Sequence, residues 1–221
     1  MKADDVIPLH LSDVTYPPEH PLAGQTGPVM GFLVRHPEGL LLVDTGIGFG
    51  DPWVDANYKP NSWNVKDAIY RSRNHAENVR LIVNTHMHFD HAGQNYEFPD
   101  IPILVQEEEW QATWNEGYTI HDWIDFEDAN YVRVKGDVDI ASGIRALSTP
   151  GHTPGHQSVV VETDDGLVLI AGQAAQDARD FATAPATPSL QRLRDLNAAR
   201  VHFSHDRAVL KKTDRAGHGS G

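Results

Sequence analysis

Six consecutive residues, His86-Met87-His88-Phe89-Asp90-His91, offer four groups able to bind a metal ion, directly after the apolar run at 81–83. In extended chain successive side chains alternate. His86, His88 and Asp90 therefore converge from one side while His91 points elsewhere, which predicts two neighbouring donor groups rather than one. Imidazole and carboxylate suit zinc, iron, cobalt or manganese. A polar cluster beside a buried strand needs a reason, because burying such groups without partners is costly.

A second group is Thr149-Pro150-Gly151-His152-Thr153-Pro154-Gly155-His156, in which Pro and Gly tighten a loop that can hold an imidazole rigidly. His152 is the expected metal ligand, and His156 is expected to brace the loop by hydrogen bonding. A third candidate is His205, at the end of a short predicted strand, with His202 as its competitor. Asp44 follows the apolar run 40–43. It is either an acceptor for a ligand imidazole or a turn residue before Gly46.

Elements that could position these groups are legible as short apolar runs at 6–11, 31–34, 40–43, 81–83, 103–105, 159–161 and 167–170, in a chain punctuated by Gly, Pro and Asp. Helical character is read at 64–78, 107–116 and 189–200, the last with Leu190, Leu193 and Leu196 three apart. The class is mixed α/β. Strands fall in one group before about residue 105 and another from about 131 to 170, which predicts two packed sheets with helices outside, a four-layer arrangement. Residues 16–28 and 49–62 read as long loops. One domain is expected over residues 1–210, with a loose tail at 211–221.

Composition narrows the chemistry. Of 221 residues, 40% are apolar and 22% charged, which fits a globular chain. Eighteen Lys and Arg stand against 31 Asp and Glu, and the resulting net charge of −13 disfavours nucleic acid and anionic membranes as partners. With no cysteine, thiol nucleophiles and Cys-type metal sites are excluded, so any metal is held by nitrogen and oxygen. The acidic start and the lack of a long apolar stretch predict a cytoplasmic protein.

The HxHxDH form of residues 86–91, with Asp44-Thr45-Gly46, the TPGHTPGH loop and Ser204-His205-Asp206, resembles the metallo-β-lactamase superfamily over nearly the whole chain. Within it, HFDHAG, TPGHTPGHQS and SHD look most like the N-acyl-homoserine lactonase group. The resemblance implies an αββα sandwich with metals at the edge of the two sheets. It implies one metal on His86, His88 and His152 and another on Asp90, His91 and His205. Two zinc ions are the implied cofactors, with a single ion, or iron, manganese or cobalt, as alternatives. It also implies a homodimer, since lactonases of this group are often dimeric.

The implied reaction is attack of a metal-bound hydroxide on a lactone or ester carbonyl, with Asp90 as the catalytic residue that passes a proton to the leaving alkoxide. Trp53, Tyr58, Trp63, Tyr118 and Trp123 are candidates to line a pocket for an acyl chain. Two positions depart from the family pattern. A Gly-Asp whose carboxylate bridges the metals is matched here by Gly172-Gln173, and a tyrosine three residues further on is matched by Gln176. A neutral amide is the poorer bridge, which predicts a weaker second site. Loss of that carboxylate keeps two other readings open: a mononuclear iron persulfide dioxygenase, and a metal-binding protein with little hydrolase activity. A glutathione-thioester hydrolase is disfavoured because only 16 residues follow His205, and a nuclease by the acidic balance.

Overall fold

Runs of Val, Leu and Ile become thirteen strands among the described residues, 1–212, of the computed structural model. The first half of the chain supplies β1 (Val6–Thr15), β2 (Thr26–His36), β3 (Gly39–Val43), α1 (Pro52–Tyr58), β4 (Asn61–Ser62), α2 (Val65–Arg71), β5 (Val79–Val83), α3 (Phe89–Ala92), β6 (Pro102–Gln106) and α4 (Glu107–Thr113). There follow α5 (His121–Ile124), β7 (Asn130–Val134), β8 (Val138–Ala141), β9 (Ile144–Ser148), β10 (Gln157–Thr163), β11 (Gly166–Ile170), α6 (Ala178–Thr183), α7 (Pro188–Asp195), β12 (Arg200–Phe203) and β13 (Asp206–Lys211).

The strands form two sheets, ordered β4-β1-β2-β3-β5-β6-β7 and β13-β12-β11-β10-β9-β8. Alternation along each strand divides the core into layers. Met30, Phe32 and Val34 of β2, with Val43 and Val83, pack against Ala146, Val159, Val161, Val168 and Ile170 of the second sheet. Leu33, one residue out of phase, joins Leu9, Leu42, Ile82 and the α2 residues Val65, Ala68 and Ile69 on the outer face. The second sheet's outer face holds Val160, Leu169 and Val201 under Phe181, Leu190 and Leu193. The result is a four-layer αββα sandwich. Each fully buried large apolar side chain contributes about 2 kcal/mol.

Several sequence expectations shift in detail. β7 pairs in parallel with β6, so residues 130–134 belong to the first sheet, and the second sheet runs on through β12 and β13. The loop expected at 49–62 contains α1, started by the Asp51 cap and Pro52. The helix expected at 189–200 is capped by Thr187 and ends at Asp195, with Asn197 in left-handed backbone at φ 51°. Arg73, at φ 63°, likewise follows the end of α2, where helix was expected to 78. Of the expected tail, Lys211 closes β13 and Lys212 N donates to Ala199 O, so paired chain extends past residue 210. The rest of that segment lies outside the described residues.

Candidate metal centre

Every loop that carries a candidate ligand leaves the C-terminal end of a strand at one edge of the sandwich. Asp44 follows β3, residues 86–91 follow β5, the TPGHTPGH loop follows β9, Gln173 follows β11 and His205 follows β12. Two donor groups assemble there. His86, His88 and His152 form one, and Asp90, His91 and His205 the other, with the ligand atoms within each group no more than 4.8 Å apart.

In the first group His86 Nε2 lies 3.1 Å and His152 Nε2 3.2 Å from His88 Nδ1. His86 Nδ1 is 3.1 Å from Thr85 Oγ1, whose own hydrogen goes to Asp44, so the imidazole donates to the hydroxyl and keeps its Nε2 lone pair for the site. Burial holds these rings in the neutral form a ligand needs. His86 lies well below the usual imidazole range, through burial and the neighbouring rings His91, His88 and His152. His152 is pushed down to about 3 by burial and by His88.

The second group is electrostatically different. Burial opposes charge on His91, but the carboxylates of Asp90 and Asp44 outweigh it and lift the ring to about 9. Burial alone would raise Asp90, yet His91, His205 and His88 hold it below the usual carboxylate range. His205 Nδ1 donates to Pro28 O at 3.0 Å and its Nε2 lies 3.5 Å from Asp90 Oδ2. His91 Nε2 lies 3.6 Å from the same oxygen.

Asp44 resolves its two sequence readings. It stands in left-handed backbone at φ 60°, and its side chain accepts from Thr85 N at 2.7 Å, Thr85 Oγ1 at 2.8 Å and His91 Nδ1 at 2.8 Å. The proton is thereby fixed on His91 Nδ1, and Nε2 is aimed at the donor group. That Nε2 is buried without a hydrogen-bond partner, as is the side-chain oxygen of Gln173, whose proximity favours the protonated His91 ring. Buried polar atoms without partners, beside the neutral imidazoles of His86 and His152, fit a cation, whereas apolar filling would leave them unsatisfied.

His156 and His202 stand apart from both groups. His156 Nδ1 donates to Thr149 O at 3.1 Å and its Nε2 accepts from Gln173 N at 3.0 Å, so both nitrogens are spent on bracing the loop, as the sequence suggested. His202 is buried against Phe32, ring centroids 5.4 Å apart.

One further buried residue, Glu109, has no signal in the sequence. Fully buried at the start of α4, it accepts from Met87 N at 2.8 Å and Tyr118 Oη at 2.5 Å through one oxygen, and from Thr153 Oγ1 at 2.7 Å and Gly155 N at 3.1 Å through the other. One carboxyl thus ties both histidine loops together. Gly155 permits the approach, since a Cβ there would lie 2.1 Å from Glu109 N. In the sequence Glu109 is the third of three glutamates opening a helix, and nothing marks it off from its exposed neighbour Glu108.

Beside the donors opens a cavity of about 410 Å³ lined by Trp53, Tyr58, His88, Phe89, Tyr118 and Ile120. Three of the five expected aromatics are therefore at the site. Trp63 lines a separate groove with Leu9 and His10, and Trp123 is buried in the core against Gly48. Among the described residues no helix is long and apolar enough to cross a membrane.

Comparison with known proteins gives a consistent picture. The family model described as metallo-beta-lactamase superfamily matches residues 24–205. An N-acyl homoserine lactonase from a Bacillus species is 33% identical over 167 residues, 70% of this chain. The match spans 66%, just under two thirds, of that relative's length. Among solved structures, a quorum-quenching N-acyl homoserine lactone hydrolase superposes with a TM-score of 0.73 at 26% identity, covering 91% of both chains. A second such hydrolase, with N-hexanoyl-L-homoserine bound at its catalytic metal centre, gives 0.71 at 27% identity over 91% of this chain and 92% of its own.

Proposed function

This chain belongs to the metallo-beta-lactamase superfamily, and from that premise we propose that it is a metal-dependent hydrolase of lactone or ester carbonyls, with N-acyl homoserine lactones as its substrates. The observation that carries the reading is the pair of converging donor groups at the mouth of an aromatic cavity. His86, His88 and His152 would hold one divalent ion, and Asp90, His91 and His205 the other, zinc being the ion best suited to this nitrogen and oxygen set. When bound, such ions supply a Lewis acid and lower the pKa of water to about 7.

The chain's own residues do the rest. Asp44, Thr85 and Pro28 O fix the tautomers of His91, His86 and His205, so each ring presents Nε2 to the site. Trp53, Tyr58, Phe89 and Ile120 give an acyl chain an apolar wall and exclude water from the reacting carbonyl. Asp90, held ionised beside three imidazoles, is the group able to take a proton and return it to the leaving alkoxide. With a net charge of −13, the chain suits a small uncharged substrate and not a polyanion.

A single-ion alternative, an iron enzyme of the persulfide dioxygenase type, is favoured by one observation. Gln173 brings a neutral oxygen where a second cation would want charge. Protein purified without chelator, analysed for metals and assayed on acyl-homoserine lactones of several chain lengths, tests both. About two metals per chain with turnover reduced to background by His88→Ala is the expected result. One metal or fewer per chain without lactone turnover would overturn it, and iron as that metal would favour the alternative.

A further inference from the structure

Tyr16 follows β1, in a segment that the sequence reads as loop, and its ring packs with Ile47, Val54 and Trp123 in the cluster that also takes in Tyr58 and Phe89 of the cavity wall. The side chain is 7% exposed and stacks on His20, with centroids 4.2 Å apart and planes 9° from parallel. The hydroxyl end of the ring packs against Gly27, where a Cβ would come within 2.5 Å of the phenol oxygen. Tyr16 is thus held by both contacts with its hydroxyl in the electrostatic reach of Asp90.

The hydroxyl's partner comes from far along the chain. Gln176 Nε2 donates to Tyr16 Oη at 3.2 Å across 160 residues of sequence. A phenol that accepts from an amide keeps its own hydrogen to give, and among the described residues that hydrogen has no acceptor. Burial, with Asp90's charge and Tyr58 behind it, pushes the phenol up to about 12, so it stays protonated at neutral pH. Tyr118, also at the cavity, cannot do the same, because its hydrogen is already bound by Glu109.

We propose that Tyr16 is the hydrogen-bond donor that the substrate's carbonyl oxygen meets in this site, and that Gln176 is the positioning residue that aims it. The proposal rests on the lactone hydrolase reading and deepens it. As charge builds on the carbonyl oxygen the Tyr16 hydrogen bond strengthens, and the proton stays on Tyr16 throughout. Gln176 acts only through Tyr16, by occupying the lone pair and fixing the rotation of the O–H.

The test uses the metal-loaded full chain, acyl-homoserine lactone turnover, and the corresponding lactam, whose ring nitrogen resists hydrolysis, carrying ¹³C at the ring carbonyl. Tyr16→Phe is expected to lower kcat on the order of 10²-fold, the scale of one lost oxyanion donor, with KM little changed. Gln176→Ala gives a smaller loss, and the double variant is no worse than Tyr16→Phe alone. Gln176→Glu can only accept from the phenol, captures its hydrogen, and is as damaging as Tyr16→Phe. In the infrared, the bound lactam carbonyl band moves to higher wavenumber in Tyr16→Phe. An unchanged band with kcat within about threefold of the parent, well short of the loss of a donor, overturns the role of Tyr16 and leaves the lactone reading intact. Absence of both turnover and lactam binding in the parent protein overturns the lactone reading itself.

Discussion

The two donor groups lie side by side yet are built on opposite electrostatic plans. His86, His88 and His152 carry no carboxylate, and burial keeps His86 and His152 neutral. The group of Asp90, His91 and His205 contains one carboxylate, has Asp44 directly behind it, and lifts His91 to about 9. A cation entering the first group meets lone pairs already turned toward it. In the second it must displace a proton that two carboxylates hold on His91, and it gains only one coordinating anion, because residue 173 is an amide. The first group should therefore fill first, and the second should be the one that limits activity.

The largest effect should come from the clasp that both histidine loops share. Glu109→Ala removes four accepted hydrogen bonds from a buried position and should destabilise the fold by about 3 kcal/mol or more, read from urea unfolding. Metal affinity should fall at the first group, because Met87 and the Thr153 loop flank His86, His88 and His152. If the second site weakened more than the first in a metal titration, the division between the groups would be wrong.

Asp44→Asn keeps the shape and loses the charge, so it should act chiefly on the second group, whose His91 it contacts directly, and less on His86, which it reaches through Thr85 Oγ1. Its expected cost is roughly 10- to 100-fold in affinity for the weaker ion, as for other groups that orient a ligand imidazole. Equal loss at both sites would erase the comparison. Gln173→Asp should sharpen it in the other direction, raising occupancy of the second site toward one ion and lactone turnover with it. Unchanged metal content would show that the amide is not what makes that group weak.

The last effect, on stability at acid pH and not on metal binding, concerns the histidines outside both groups. Burial, then His152, pushes His156 down to about 3, and burial, then Arg200, pushes His202 down to about 4. Both are neutral in the folded chain below the ordinary imidazole range, whereas the unfolded chain binds protons there. Stability of metal-free protein should therefore be fully present above about pH 6.5 and fall as pH drops toward 4 and 3, by up to about 1.4 kcal/mol per unit per group. His202→Phe should flatten that slope between pH 6.5 and 4. An unchanged slope in urea melts would place the proton uptake elsewhere.

Most strand positions were legible because they centre on short apolar runs. The helix ends were less so: Arg73 takes left-handed backbone that its residue type does not advertise, whereas Asn197, a type that favours it, marks the stop of the last helix only once its backbone is seen. The sequence pattern misplaces β7 for a related reason. Its residues 130–134 are mostly exposed or half-buried, so no apolar pattern indicates which edge they join.

At the site, the sequence by itself determined the donor inventory: no thiols, two groups of nitrogen and oxygen donors, and an amide where a third carboxylate could have stood. Alternation on an extended segment separates His86 and His88 from His91 correctly but puts Asp90 on the wrong side, because the chain turns into α3 at Phe89 and Asp90 joins His91 and His205. Only the tertiary structure decided which histidines keep a free lone pair. His156 lost its own to Gln173 N, and His91 was aimed by an aspartate 47 residues away. The same holds for Glu109 joining two loops and for Gln176 meeting Tyr16 across 160 residues. A buried polar group must find its partner wherever the chain's packing brings one, and that partner is fixed by how the two sheets close on each other rather than by any neighbour in sequence.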